Sequence, residues 1–450
     1  MSHKLLSLLT AAYLLLCIVL GGSAQIIWPN LALEILGIAL IAFAGMHRAE
    51  ADTGSRSPMI LVGLLAVGLL VILVQLVPLP PAVWTGLPGR AELAKGFASL
   101  GYALPSQTIS ESPYVSVLTV FAAIPAIGIF LAALRLKPDA RSIAVVVVAG
   151  TVLAILFGAL QVSGGRNSWA YMYKISSPGA VGFFANQNHM ATLLLVAIPM
   201  AVALLAPAKS GAKTSSGRYG IGAVLLILLV VGIGLNGSLA AYALSVPVIL
   251  MSLTLLPGAA GWRRLLFPVA LIAIAASVVL LATRPIGNSS MEESASSSVT
   301  SRSQIWSTTG QAIADSMPVG TGLGSFEQVY RHYEDPWQVR SEYVNHAHND
   351  YLELILELGA PGAILILLFL VWWAIAAVRI WTSQLSTPFS RAATIVTGTI
   401  LAHSIVDFPL RTAAISAIFT VSIAIMAQHL VRAPVARKGE LRPSKHVTLG

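Results

Sequence analysis

The densest set of groups able to do chemistry in this chain is the run Asn345-His346-Ala347-His348-Asn349-Asp350-Tyr351-Leu352-Glu353-Leu354-Ile355-Leu356-Glu357-Leu358-Gly359. It holds two histidines, an amide beside the second of them and three carboxylates, in a chain of which only 10 % is charged. A histidine changes charge near neutral pH, so it can take a proton from an attacking hydroxyl. If residues 346–358 are helical, His346, Asp350, Glu353 and Glu357 recur at steps of four, three and four and share one face. That stripe is expected to face a cavity or water, with Leu352, Ile355 and Leu356 on the other side. Gly359 can supply the left-handed residue that ends the helix, and His348 and Asn349 would project at its start. Three readings follow: a catalytic or substrate-binding cluster, an amphipathic helix with solvated polar groups, or a metal site. The spacing fits no standard zinc motif.

Other groups bear on the same question. Arg302, in Thr300-Ser301-Arg302-Ser303, is expected near the start of a helix over 303–316, with Ser301 or Ser303 as N-cap. An arginine beside free helix N–H groups suits an anion such as phosphate, and a solvated loop arginine is the plainer reading. The run Gly320-Thr321-Gly322-Leu323-Gly324 lacks a preceding strand and a Gly-Lys-Ser/Thr ending, so it reads as a turn and not as a nucleotide loop. In Gly182-Phe183-Phe184-Ala185-Asn186-Gln187-Asn188-His189, Asn186 can cap the helix that follows. Asn188 and His189 then fall in its first turn, where they either line a substrate mouth or serve only as capping polarity. His403 and Asp407 are four apart within an apolar run, with Arg411 just beyond. Ionisable groups at membrane depth usually face a bundle interior, so Asp407 with Arg411 is either a structural ion pair or part of an anion pocket.

The elements that must position these groups are membrane helices. The chain is 450 residues long, 56 % hydrophobic and has a mean hydropathy of +0.81, against roughly 45–50 % apolar and about 25 % charged in soluble domains. One cysteine, Cys17, excludes a disulfide framework and a thiolate metal site. The net charge of +9 comes from basic residues dispersed over short loops, which argues against nucleic acid as a partner. Stretches of the length a bilayer requires, about 20 apolar residues, lie near 4–22, 30–46, 59–78, 114–134, 142–162, 189–206, 219–235, 239–257, 264–282, 361–379, 391–408 and 412–430. The fold class is therefore an all-α polytopic membrane protein with about 12 transmembrane helices, and with membrane lipids as neighbours. With the N-terminus inside, one set of loops and termini carries eighteen of the 27 basic residues and the other nine, the latter mostly in long loops. The positive-inside rule then puts both termini in the cytoplasm. Lys4, the first apolar run and Gly22-Ser23-Ala24 are also signal-peptide-like, but with eleven further spans behind it this segment is read as the first span.

The chain divides accordingly into residues 1–282, nine spans with an external loop at 79–113; 283–360, a large external loop with the candidate site; 361–430, three more spans; and 431–450, a basic cytoplasmic tail. The 79–113 segment is Pro-rich, with one short helix expected about 90–100. The 283–360 loop opens on a Ser-rich stretch (Ser289, Ser290, Ser294, Ser296, Ser297, Ser298) read as flexible. No internal repeat is visible.

Taken together, the Gly-x-Phe-x-Asn-x-Asn helix start at 182–188, the Ser-Arg-x-x-x-Trp helix at 301–306, the Pro-x-Gly-x-Gly-x-x-x-Phe turn at 318–326 and His348-Asn-Asp-Tyr-Leu-Glu-Leu-x-x-Glu-Leu-Gly359 resemble the O-antigen ligase and O-antigen polymerase superfamily. The resemblance covers roughly residues 180–430. It implies a bundle of about twelve helices with a large periplasmic loop between the ninth and tenth, in the bacterial inner membrane. It also implies an inverting, metal- and cofactor-independent transfer of a glycan from an undecaprenyl-pyrophosphate donor to an acceptor hydroxyl on a glycan, lipid A-core or protein. Carried over by motif, His348 becomes the base that activates the acceptor and Arg302 a ligand of the pyrophosphate. His346, Asn349, Asn186, Asn188, Arg331 and Arg411 are the further substrate-binding candidates.

Two departures stand out. Many members carry Ser-Arg-Gly in the turn before the eighth span, where this chain has Asn236-Gly237-Ser238, so Arg166, Arg331 or Arg411 would have to substitute. The ligase pattern's Gly-x-x-Thr-Thr ending is replaced by Gly359-Ala360-Pro361-Gly362, which argues against a dedicated lipopolysaccharide ligase; a repeat-unit polymerase or a protein O-oligosaccharyltransferase fits as well. A transporter of lipid-linked glycans is the competing class. Transporters place their polar sites near the bilayer midplane, often in repeats, whereas here the cluster lies at the outer edge.

Overall fold

The computed structural model describes residues 3–24, 27–47, 57–173, 176, 179–206, 216–256, 260–283, 292–338 and 343–432. Of the positions named above, Ser289, Ser290 and the tail from 433 onward lie outside the described residues, as do several of the basic residues counted for orientation.

Among the described residues the regular structure is helical apart from one isolated bridge between Leu79 and Gln107. The first helices are α1 (His3–Leu20), α2 (Trp28–Met46) and α3 (Ser57–Gln75), followed outside the bundle by α4 (Pro81–Trp84) and α5 (Ala91–Ser99). One apolar run is split at Ala123 into α6 (Pro113–Ala122) and α7 (Ile124–Leu136), because Pro125 cannot donate to the helix ladder. Then come α8 (Ala140–Gly164), α9 (Gln187–Leu205), α10 (Ser216–Asn236), α11 (Leu239–Leu253) and α12 (Ala260–Thr283). The last group is α13 (Glu292–Ser316), α14 (Phe326–Tyr333), α15 (Asp350–Thr382), α16 (Pro388–His403) and α17 (Ala413–Arg432).

Among the described residues, seven helical stretches are long and apolar enough to cross a membrane: Trp28–Met46, Ser57–Gln75, Pro113–Leu136, Ala140–Asn167, Gln187–Leu205, Asp350–Thr382 and Ala413–Leu430. Four shorter apolar helices, Leu5–Leu20, Gly220–Asn236, Leu239–Leu253 and Arg264–Ser277, accompany them. Each sequence-predicted span falls on a helix, with one difference of consequence. The run 391–408 is helical only as far as His403, so Asp407 lies in the turn beyond α16 instead of inside a span.

The bundle is centred on α9 and α17. α9 packs against α8, α10, α11 and α16, and α17 against α1, α7 and α16. Their contact faces are built from small residues (Ala191, Ala197, Ala201, Ala414, Ala417, Ala424), which let helix backbones approach where no hydrophobic force separates helix from lipid. α1 belongs to this core, with Leu14, Cys17 and Ile18 fully buried.

The segment between α12 and the membrane part of α15 forms a cap with its own apolar cluster, in which Ile305 and Ala312 of α13 meet Phe326 and Tyr330 of α14, Ala347 and Leu356. α13 begins at Glu292, earlier than the sequence predicts, so Ser294–Ser298 are helical and Arg302 lies within a helix. The expected anion site at a helix N-terminus beside Arg302 is therefore not formed.

α15 is two helices. Its backbone leaves the helical region at Gly359 (φ 63°, ψ −147°), ending a short helix over 350–358 before the long apolar one. The glycine run 320–324 closes that short helix. The Thr321 and Gly322 amides donate to the carbonyls of Leu356 (3.0 Å) and Glu357 (2.8 Å), and the Ala360 amide donates to Pro318 O (2.9 Å). Gln75 at the end of α3 donates its Nε2 to both Val319 O and Glu357 O at 2.9 Å. These partners satisfy carbonyls that a helix end leaves open. The two backbones meet so closely that a Cβ on Gly359 would lie 2.3 Å from Pro318 O, and one on Gly320 would lie 2.5 Å from Gly359 N.

Candidate functional site

The cluster at 345–359 is positioned by the short helix over 350–358 and by the turn beyond α16. Asn349 is the helix N-cap: its Oδ1 accepts from the Tyr351 and Leu352 amides, both at 3.0 Å, and its Nδ2 donates to Ile405 O at 2.8 Å. Asp350 is tied to the same turn, its Oδ2 accepting from Ser404 Oγ (2.7 Å) and the Leu410 amide (3.3 Å).

His348 has a left-handed backbone, φ 48°. A non-glycine residue there costs of order 1–3 kcal/mol and persists only when its surroundings fix it. They do so through Ala347, which is completely buried. Its amide donates to Glu353 Oε2 (2.9 Å) and its carbonyl accepts from Trp306 Nε1 (3.0 Å). Trp306 lies one helical turn beyond Arg302 on α13, so the helix that clamps the histidine loop also delivers the arginine.

The histidine itself faces Asp407. Nδ1 of His348 lies 3.1 Å from Asp407 Oδ1; the His348 side chain is 27 % exposed and that of Asp407 fully buried. With the proton on Nδ1, the carboxylate fixes tautomer and ring orientation, and Nε2 is left as the acceptor. His346 repeats the pattern, its Nδ1 2.8 Å from Glu353 Oε1. Phe408 is the wall against which the rings pack: His346 stacks on it at 4.1 Å, and His348 and His189 meet it edge-on at 5.0 and 4.9 Å.

The carboxylate stripe faces inward, opposite to its expected exposure to a cavity or water. Asp350, Glu353 and Glu357 are buried. Burying carboxylates requires partners, and beyond those already named the partner is Arg411, whose Nη2 lies 3.3 Å from Glu353 Oε1 and 2.8 Å from Glu357 Oε2. Burial works against the charge of the Arg411 guanidinium, but Glu353 and Glu357 more than offset it, so its pKa is raised. Asp407 is thus paired with His348 and not with Arg411.

His346, His348, Asn349 and Arg411 are brought together by these contacts. Arg302 carries a buried Nε without a protein partner, and its charge acts on both His403 and Asp407. Asn186 and Asn188 sit at the start of α9. Asn186 Oδ1 accepts from the Asn188 amide (2.8 Å), and Asn188 Oδ1 accepts from Ser238 Oγ (2.8 Å), linking α9 to the turn where Ser-Arg-Gly is replaced. Arg331 lies on α14, half-exposed, with its guanidinium on Glu327 and over the Tyr343 ring. Arg166 is exposed after α8. Phe408 was not among the sequence candidates, and Asp407, Glu353 and His189 were weighed there only as an ion-pair or anion-pocket acid, a member of the polar stripe and a helix-start polar group, without the partners seen here. The available signals were an acid four residues after His403 and a histidine inside the quoted 182–189 motif. Among the described residues, no three His, Cys, Asp or Glu side chains come together as a metal-binding group.

Residues 221–367 match the family model described as O-antigen ligase. The match spans about a third of the chain and supports the O-antigen ligase and polymerase superfamily that the motifs resemble. The matched stretch contains Arg302, Trp306, His346, His348 and both glutamates of the short helix, and stops before Asp407 and Arg411. No curated protein matches the chain. The superfamily's general function is glycan transfer of the ligase or polymerase type, with a lipid-linked glycan donor and a polysaccharide acceptor. The apolar helices agree with an integral membrane protein.

Proposed function

We propose that this O-antigen ligase-like chain transfers a glycan from an undecaprenyl-diphosphate donor to an acceptor hydroxyl on the periplasmic face of the bacterial inner membrane, in surface polysaccharide synthesis. The observation that carries the reading is the His348–Asp407 pair: a part-exposed imidazole held at 3.1 Å by a fully buried carboxylate. Nε2 of His348 takes the acceptor's hydroxyl proton as that oxygen bonds to the anomeric carbon. The bond from that carbon to the phosphate oxygen breaks, and the diphosphate leaves with the electron pair. Arg302, which arrives on α13 one turn before Trp306, offsets the charge that develops on the departing group. The proton on His348 then passes to a diphosphate oxygen or to solvent. A single displacement inverts the anomeric centre, and every step is assigned to protein side chains, with neither metal nor cofactor. Arg411, enclosed by Glu353 and Glu357, supports the loop that carries His348; this makes Arg302 the better candidate for the role of the arginine absent near Ser238.

The test is release of undecaprenyl diphosphate by the purified protein supplied with lipid-linked glycan. His348→Ala should abolish release while the protein still inserts and extracts as a folded species. Undiminished release by that variant would sink the reading. Movement of intact donor across the bilayer without release would instead identify a transporter. A ladder of product lengths marks a polymerase, and a single added block marks a ligase or protein glycosyltransferase.

A further inference from the structure

Behind the His348–Asp407 pair is a set of buried polar atoms to which the reaction above assigns no partner. Asp407 Oδ2, His403 Nε2, Arg302 Nε and both ring nitrogens of His189 are buried and find no hydrogen-bond partner among protein groups. They belong to one place. Thr192, one turn beyond His189 on α9, is hydrogen-bonded through its hydroxyl to His403 Nδ1 at 2.8 Å. The Asp407 amide donates to His403 O at 3.0 Å. The ring of His189 touches Phe408, the neighbour of Asp407, and the charge of Asp407 acts on His189.

Leaving a buried polar atom unpaired costs about 1–3 kcal/mol, and buried polar atoms in native proteins are almost always paired with protein or with ordered water. A buried water takes two to four polar partners. The set here supplies them in complementary kinds: a carboxylate oxygen that only accepts, a guanidinium N–H that only donates, and two imidazoles able to do either.

We infer that His189 is a positioning residue of the transfer site, joined to Asp407 Oδ2 through a water sealed between α9, the turn beyond α16 and α13. The inference rests on the reading of His348 as base. Asp407 is gripped at Oδ1 by His348 alone. A carboxylate held at one oxygen can rotate about its χ2, carrying the imidazole with it; the water-bridged His189 fixes the second oxygen. His189 thereby keeps the His348 proton on Nδ1 and its Nε2 aimed at the acceptor, without touching the substrate.

The experiment compares wild type, His189→Phe, His189→Gln and His348→Ala in lipid nanodiscs. Undecaprenyl-diphosphate-linked glycan extracted from the producing cells is the donor, and initial rates of undecaprenyl diphosphate release are read against donor concentration. His189→Phe keeps the ring and removes both nitrogens; its kcat should fall about tenfold or more with donor KM unchanged within about twofold. His189→Gln keeps a donor and an acceptor and should recover most of that kcat. A Phe variant as fast as wild type, or a Gln variant as slow as Phe, overturns the inference, since the second result would mean a packing role only. His348→Ala separates the two ideas: turnover by that variant removes the reading beneath, whereas a silent His348→Ala beside a normal His189→Phe removes only this inference. Should His189→Phe not fold, an electron-density or cryo-EM map of the wild type that shows ordered solvent decides. Density bridging the His189 ring and Asp407 Oδ2 supports the bridge, and its lack refutes it.

Discussion

Asp407 and Arg411 stand four residues apart and do different work, which mutation can separate. Asp407 is buried with its carboxylate on His348, so Asp407→Asn keeps the shape and offers His348 a donor where it needs an acceptor, favouring the other tautomer. General-base catalysis contributes about 10²–10⁴-fold. Most of that should disappear from kcat in Asp407→Asn, with donor KM nearly unchanged, as read by initial rates of lipid diphosphate release. Arg411 lies between Glu353 and Glu357. Removing one partner of a buried ion pair costs about 3–5 kcal/mol, so Arg411→Ala should lower the thermal unfolding temperature in detergent sharply. Adding Glu353→Gln and Glu357→Gln should recover part of the loss, because the uncompensated charges go with the arginine. A lone Arg411→Ala with unchanged stability would show that the carboxylates do not depend on it. The pairing of His348 with Asp407 was not legible in the sequence. The two residues are 59 positions apart, and no periodicity links a loop to the turn after a distant helix. From sequence alone Arg411 was the nearer and more obvious partner for Asp407.

At the scale of elements, the decisive contact is that between the 318–324 turn and the break in α15. Gly359 has φ 63° and its Cβ position lies 2.3 Å from Pro318 O. Gly359→Ala should therefore destabilise by about 1–2 kcal/mol from the left-handed backbone alone, more from the clash, and should reduce transfer by shifting the helix that carries Glu353. Gly310, in α13, has nothing within 4 Å of its Cβ position, so Gly310→Ala should be neutral or stabilise by up to about 1 kcal/mol. Thermal unfolding of the two variants side by side checks both. The helices themselves were readable, since long apolar runs admit little else, and so was the end of the short helix at Gly359. Its inward polar face was not. Helical spacing puts His346, Asp350, Glu353 and Glu357 together but does not say which way the stripe turns. The direction is set by Arg411 and Ser404, which come from elsewhere in the chain.

The molecule as a whole has its histidine cluster at one end of the bundle, at the tops of α9 and α16, and the α15–α16 connection at the other. The positive-inside reading puts these ends on opposite sides of the membrane. Cys17, buried in the last turn of α1, is the chain's one cysteine. Because its thiol is buried among helices, the native protein should be silent to thiol reagents, and a cysteine introduced elsewhere should report on its own position without a cysteine-free background being made first. Trp337 in the cap is 95 % exposed and Leu385 in the α15–α16 connection 58 %. In intact inner-membrane spheroplasts, Trp337→Cys should react with a membrane-impermeant maleimide at once, and Leu385→Cys only after permeabilisation. The reverse pattern would invert the orientation and place the transfer site in the cytoplasm. The same silence allows a pair of cysteines set across the 318–324 turn and α3 to be crosslinked selectively, so that the cap can be fastened to the bundle and released by reductant while turnover is followed.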